Sequence, residues 1–405
     1  MGIKALNDLQ LRLALGQPAP ASFCCREDIE PLLGTFGISR VADQTGLDTI
    51  GVPVWSAIRP MSRGLSVATG KGVTDDAAWL SAVFESLEQA FAEKASDICA
   101  LVETPDRMVE RGHRIIPLAR QPRCAASRVH PDEEVAWVKG QCLLSGEEVF
   151  APFNLIGMDM TAEAPWNPDI YLMASNGLAA AGNIAGAVLH GLRELVEDDA
   201  FLAAQHFPIR RSDPDSSMTL HCEPHHPFPE IVRMVKRAGL EARFMSPRTG
   251  FDVPVVVAAL MSKSAEAHPL FCGVACRDST EDAALAALLE AIQTRLTFVA
   301  GSREDLGSDE YNVTSSQVAT GFYPAVIVEQ RKSSQIDSGY ELGRLIAALR
   351  AKGIEGIYAF SLGGVPNAFE IVRVLADDLM SVEHIPGRAM PEAAARRFLD
   401  GLLSK

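Results

Sequence analysis

The chain is short of the features that mark several functional classes. It has no excess of basic residues: the formal charge is −15 and the isoelectric point about 5.1. Nothing in the composition therefore resembles the basic footprint that neutralises a nucleic-acid backbone, although a local cationic pocket stays open. It has no C-x-x-C spacing, because the eight cysteines at 24, 25, 99, 124, 142, 222, 272 and 276 are scattered. Reduced thiols in a cytoplasm are the expectation. The opening MGIKALNDLQLRLALG has no apolar stretch followed by a cleavage site. The longest apolar runs, such as residues 253–261, are about half of the ~20 residues that cross a bilayer, so no membrane span is expected.

What remains is a 405-residue chain that is 47% hydrophobic and 6% aromatic, enough for one large core and too apolar for disorder. Low-complexity tracts and short repeats are missing, and Pro and Gly are spread evenly. Residues 50–70 read as two strands around a turn. From Thr74 the period changes to that of a helix, with Asp75 and Asp76 in its first turn and Trp79, Val83, Leu87 and Phe91 on one stripe. Further helices are expected at about 184–204 and from Ser279 or Thr280 to Gly301. Strand patterns fall at 134–138, 148–152, 253–259 and 325–329. Their irregular alternation with helices predicts a mixed α/β (α+β) fold, helices packed on mixed sheets in a single large domain, without a regular βαβ series.

Five constellations carry chemistry. SVATGKG (66–72) reads first as a hairpin turn, and second as a loop whose backbone and Lys71 approach phosphate; it is not a P-loop, since Gly72 stands where a Ser or Thr would ligate magnesium. Glu85-x-x-Glu88 places two carboxylates on one side of the Thr74 helix, an arrangement that also occurs on solvated helix faces. Glu194-x-x-Glu197 repeats the spacing on the next helix, whose face opposite the Leu189/Leu192/Val196 stripe is poor in long charged side chains, as if covered on both sides. Four glutamates brought together would repel one another unless divalent cations lay between them, and hard oxygen ligands suit magnesium bound with nucleotide phosphates. Glu290, Gln293, Arg295 and Arg303 border the third helix; Arg303 follows a Gly-Ser turn suited to presenting a guanidinium to a phosphate, and equally suited to a surface ion pair with Glu304 and Asp305. HCEPHHP offers His221, Cys222, His225 and His226 as transition-metal ligands, though such clusters are usually incidental without a second ligand pair.

In order and spacing these pieces resemble the YcaO family. DQTGLDTIGVPVWSAIRP (43–60) is similar to its D-R-T-G-L-D-x-I-G-I-P-V-W-x-A-x-R-P segment. SVATGKGVTDDAAWLSAVFESLEQ is similar to the block S-x-x-x-G-K-G ending in E-x-x-E. SNGLAA with HGLRELVEDDA resembles the S-N-G-L-A-x-G and H-x-L-x-E-x-x-E-R-D-A blocks, and EAIQTRLTFVAGSREDL the E-A-x-Q-x-R…G-x-R-D-D block. The resemblance covers about 43–305. It implies a helical lead-in at 1–40, an ATP-binding catalytic domain at 41–385 and a helical tail at 386–405. It also implies ATP and Mg2+ as cofactors, with Glu85, Glu88, Glu194 and Glu197 as magnesium ligands. Ser66, Lys71, Asn176, Gln293, Arg295 and Arg303 would surround the nucleotide, with Arg303 and Glu290 nearest the chemistry. Enzymes of this family activate a peptide backbone amide: a nucleophile adds to the carbonyl carbon, and the oxyanion is phosphorylated and leaves as phosphate. That reaction needs charge neutralisation and alignment more than covalent catalysis.

Three positions depart from the pattern: Ala181 for Gly, Asp198 for Arg, and FCGVAC (271–276) without a His. The nucleophile is open among sulfide with a TfuA-like partner, a Cys, Ser or Thr side chain with an E1-like or ThiF-like partner, and an amine. The ending HIPGRAMPEAAARRFLDGLLSK lacks Pro-x-Pro-x-Pro, which favours thioamide formation over azoline closure. A catalytically silent scaffold that keeps the fold is the reading from another class. The expected partners are a peptide or protein substrate and a separate delivery protein, with no nucleic acid and no membrane, and the resemblance is compatible with a homodimer.

Overall fold

The computed structural model describes residues 25–121, 132–164, 173–206, 217–247, 250–262, 270–304, 306, 322–329, 338–366, 368–380 and 396–397. Most of the lead-in and of the tail expected from the sequence lie outside them.

The first sheet is antiparallel, β1 (Arg40–Asp43), β2 (Val54–Ile58) and β3 (Val67–Lys71), in that order. Helix α1 (Asp75–Ala92) follows, capped as expected by Thr74, whose Oγ1 accepts the Ala77 N–H at 3.2 Å. It lies directly on β3: a Cβ on Gly70 would sit 1.9 Å from the Ala82 nitrogen, and one on Gly72 2.5 Å from the Ala78 nitrogen. This corrects the reading of SVATGKG as a turn or phosphate loop. Residues 67–71 are a strand, and the two glycines serve close strand-on-helix contact.

A six-stranded sheet comprises β4 (Cys99–Glu103), β5 (Val135–Cys142), β6 (Glu148–Pro152) and β7 (Leu178–Ala181), closed by two strands from much later in the chain. After β7 come α2 (Ile184–His206), β8 (Met218–Cys222), α3 (Phe228–Arg237), β9 (Leu240–Met245), β10 (Val255–Ser262), β11 (Phe271–Cys276) and α4 (Thr280–Ala300). Then follow β12 (Ala325–Glu329), α5 (Ser338–Ala351), β13 (Ile357–Val365) and β14 (Phe369–Ala376). The large sheet runs β4-β5-β13-β14-β7 with β6 on β5, β11-β10-β9 form an antiparallel sheet, and β8 pairs in parallel with β12. The mixed α/β expectation holds, and among the described residues the elements do not form a regular βαβ series.

The packing explains the positions of the helices. One core joins α1 to the large sheet through Trp79, Val83 and Leu87 against Phe360 and Phe369, with Phe84 and Phe91 edge-on to Phe369 at ring distances of 5.5 and 6.0 Å. A second joins α3 and α4 to the β9–β11 sheet. A third surrounds α2: Val188, Leu192 and Val196 share a cluster with Val372 and Val374 of β14, Val255 of β10 and Leu342, Leu345 and Leu349 of α5. Each of these fully buried side chains contributes about 1.5–3 kcal/mol. α2 is thus covered on both sides, as its sparse charge pattern implied.

Helix α4 forms where the sequence pattern placed it, from Ser279 or Thr280 to Gly301. Its 21 residues have the length and hydropathy of a membrane span. Here it is packed as a core helix on β10 and β11, with Leu288, Ile292 and Leu296 buried. Ser279 caps its start through the Asp282 N–H at 3.0 Å, and Gly301 ends it at φ +57°.

Candidate active site

Three helices bring carboxylates to one cleft. β7 is the edge strand of the large sheet, and its Ala180 N–H, turned away from β14, donates to Glu88 Oε1 of α1 at 2.7 Å. The Gly177 N–H just before β7 donates to Glu194 Oε2 of α2 at 2.8 Å. On the other side, the Cys276 N–H at the end of β11 donates to Glu197 Oε1 at 2.7 Å, and Arg277 reaches the same oxygen at 3.0 Å. Each of these three glutamates is held through one carboxylate oxygen by backbone from a sheet. The cleft therefore lies where the two sheets meet α1 and α2.

The cleft is deep but open. Glu85, Glu88, Glu194 and Glu197 all keep accessible surface although protein surrounds them, which is the condition of groups lining a solvent-filled recess. Burial raises the pKa of all four. Glu88 is pushed well above the usual carboxylate range by burial and then by Glu85 and Glu194. Glu194 reaches about 8 through burial, with Glu197 and Glu85 adding to the effect and the Gly177 N–H opposing it. At Glu85 burial is opposed by Lys71 and Arg303, and at Glu197 by Arg277. Asp198 is also pushed well above its ordinary value, by burial and then Glu194, Glu197 and Glu290.

Most of the residues singled out in the sequence meet here. Lys71 ends β3 with Nζ 3.6 Å from Glu290 Oε2, and acts on Glu85 and Glu197. Arg303 acts on Glu85, while the next residue, Glu304, accepts from the Ser66 N–H at 3.2 Å and from its hydroxyl. Asp305 lies outside the described residues. Asn176 donates its Nδ2 to Asp198. Two residues are engaged elsewhere. Gln293 Nε2 donates to Thr69 O at 3.0 Å and Thr69 Oγ1 at 2.8 Å, tying α4 to β3. Arg295 forms a two-pronged pair with Asp48 at 2.9 and 3.1 Å, its guanidinium 5.6 Å from the Phe271 ring centre.

The HCEPHHP cluster does not assemble. Strand alternation turns His221 outward and Cys222 into the core, and His226 Nε2 lies 3.1 Å from Asp282. Among the described residues no three His, Cys, Asp or Glu side chains converge as a metal site. Three of the glutamates, Glu88, Glu194 and Glu197, are each held by a backbone N–H instead of by one another. The donor set nevertheless fits magnesium. All the donors are hard oxygens, and the cations that act on these carboxylates, Lys71, Arg303 and Arg277 among them, stand beside a cluster of five acids counting Glu290.

Two residues stood outside the sequence argument. His190 is on the Glu194/Glu197 face of α2, open to the cleft yet deep in the protein. Burial and then Arg277, Lys71 and Arg193 lower it to about 4, so it is neutral at physiological pH. Its i, i+4, i+7 spacing with the glutamates was the available signal. Arg277, reaching Glu197 from a different sheet, left no local signal. Ala181, which replaces a glycine of the family pattern, faces Gly186 across the start of α2. A Cβ on Gly186 would lie 3.2 Å from that of Ala181, so the side chain at 181 is accommodated by the glycine opposite it.

The family profile described as "YcaO cyclodehydratase, ATP- and Mg2+-binding" matches residues 69–379, more than half of the chain. The chain belongs to the YcaO family. It is 33% identical over 293 residues to an uncharacterized Rhizobium leguminosarum bv. trifolii protein in the tfuA 3' region, an alignment covering 70% of this chain and 67% of that one. Its fold matches YcaO from Methanopyrus kandleri bound with AMPPCP and Mg2+ at a TM-score of 0.64 and 23% identity, covering 87% and 89% of the two chains. It also matches a chain of the Escherichia coli microcin synthetase McbBCD complex at a TM-score of 0.57 and 14% identity, covering 84% and 88%. As a YcaO enzyme it uses ATP and magnesium to activate a backbone amide, and the family works on peptides.

A pH effect follows. A cation requires ionised carboxylates, whereas Glu194 in the free protein holds its proton up to about pH 8. Magnesium–nucleotide binding should therefore release protons and tighten as pH rises through 7 to 8. Calorimetry in two buffers of different ionisation enthalpy reads this directly; identical heats would exclude it.

Proposed function

We propose that this YcaO enzyme installs sulfur in place of a backbone amide oxygen, forming a thioamide in a peptide or protein delivered by a TfuA-like partner. The observation that carries the sulfur reading is the relative encoded beside tfuA. The cleft supports the activation step common to all versions of this chemistry. Glu85, Glu88, Glu194 and Glu197 would hold magnesium, Lys71 and Arg303 would face the phosphates, and Asn176 would border the nucleotide. ATP supplies the phosphoryl group that makes the amide oxygen a leaving group. The protein's own part is to neutralise charge, align the groups and keep bulk water from the recess. A reducing cytoplasm suits both sulfide and the cysteine thiols of the described residues.

Azoline closure is the second reading, favoured by the description of the family as cyclodehydratases. Intact mass of a precursor co-expressed with the enzyme and its partner separates the two. Exchange of oxygen for sulfur adds the difference between the two atoms, while ring closure removes one water. A peptide of unchanged mass, with no phosphate released in the presence of partner and substrate, would leave only the silent scaffold.

A further inference from the structure

We propose that Asp198 is a positioning residue that fixes the Asn176 carboxamide at the cleft. The inference rests on the reading of this cleft as the magnesium–nucleotide site. Residues 175–177 form a tight turn between the large sheet and α2, and its backbone is fixed at Gly177 from both sides. The Gly177 N–H donates to Glu194 Oε2 at 2.8 Å, and its carbonyl accepts the Val374 N–H at 2.7 Å. Gly177 has φ +82°, and a Cβ there would lie 2.4 Å from Val374 O. Helix α2 passes so close beneath that a Cβ on Gly191 would lie 2.7 Å from Gly177 O. The backbone thus has one conformation, and the rotamer of Asn176 is what the turn leaves undetermined.

Asp198 determines it. One helical turn beyond Glu194 and 7% exposed, it accepts a hydrogen bond from Asn176 Nδ2. With Glu194 holding the backbone and Asp198 the side chain, two acids at i and i+4 grip consecutive residues of one turn. With Nδ2 turned to Asp198, the carboxamide offers the cleft its oxygen. An oxygen acceptor suits a ribose hydroxyl or a magnesium-bound water, whereas a phosphate would require the nitrogen.

The test is calorimetry of AMPPCP with magnesium on the full chain, comparing the parent with Asn176→Ala, Asp198→Ala, the double variant and Asp198→Asn. If Asp198 acts through Asn176, each alanine variant loses about 10-fold in affinity and the double variant loses no more than either. Asp198→Asn, whose carboxamide oxygen still accepts from Asn176, stays within about 3-fold of the parent. A purely structural role would not give this rescue. Losses that multiply to about 100-fold in the double variant would overturn the proposal, because Asp198 would then act independently. An unchanged affinity in Asp198→Ala would overturn it too. Should Asp198→Ala fail to fold, Asp198→Asn decides: more than about 10-fold loss rejects the proposal and near-parent affinity supports it. A parent that binds no AMPPCP removes the nucleotide site itself, a result distinct from additive losses.

Discussion

Alanine at Glu194 is expected to weaken magnesium–nucleotide binding by at least ~100-fold, about 2.7 kcal/mol, and to stop turnover. The side chain has two functions here. It would hold a cation, and it accepts the Gly177 N–H that anchors the turn carrying Asn176. Losing it removes a ligand and frees a second group at once, so the loss exceeds that for a residue with one role. Stability should move the other way. Glu194 is buried beside Glu197 and Glu85, and its pKa, pushed up to about 8, reflects that unfavourable setting. Without nucleotide, the alanine variant should therefore unfold at the same temperature as the parent or higher, because one member of a repelling cluster is gone. Glu194→Gln separates the two functions: the amide oxygen still accepts from Gly177, while the charge is lost. It should keep the fold of the turn and still bind magnesium–nucleotide poorly. Undiminished, magnesium-dependent AMPPCP binding by Glu194→Ala would show that the four glutamates are not the magnesium site.

The part of this site that was legible in the sequence was the part encoded locally. Glu85-x-x-Glu88 lies on a helix whose start is set locally by Thr74, and Glu194-x-x-Glu197 repeats its spacing on a second helix, so both faces could be inferred from spacing; Ser279 and Gly301 bound α4 in the same local way. The strands at 148–152 and 325–329 were equally local. What failed was whatever depended on a distant neighbour. Glycines 70 and 72 resemble turn residues until α1 is seen lying on them. The ties of Gln293 to Thr69 and of Arg295 to Asp48, each across more than 200 residues of sequence, left no local sign. His190 and Arg277 gained meaning only once two separate sheets met at α2.

The same helix connects the site to the far end of the chain, and breaking that connection should destabilise the fold. Asp199, next to Asp198, is 0% exposed; its Oδ1 accepts the Met380 N–H at 2.9 Å and pairs with Arg397 at 2.8 Å. Arg397 is itself buried, donates to Asp378 O at 3.0 Å and stands 5.0 Å from the Phe251 ring centre. Burial raises the Asp199 carboxyl and Arg397 opposes that rise. In Arg397→Ala burial is opposed only by the Met380 N–H, with no charge to balance the carboxylate, so the carboxyl must take up a proton or leave the core. The expected cost is about 3–5 kcal/mol, read as a lower denaturant midpoint. Replacing both partners by apolar residues, Asp199→Leu with Arg397→Met, should recover much of this loss, since neither charge is then left alone. An Arg397→Ala variant as stable as the parent would mean that the pair is not buried in solution. Because α2 also carries Glu194 and Glu197, the destabilised variant should bind magnesium–nucleotide more weakly, and saturating AMPPCP with magnesium should raise its midpoint again through linkage.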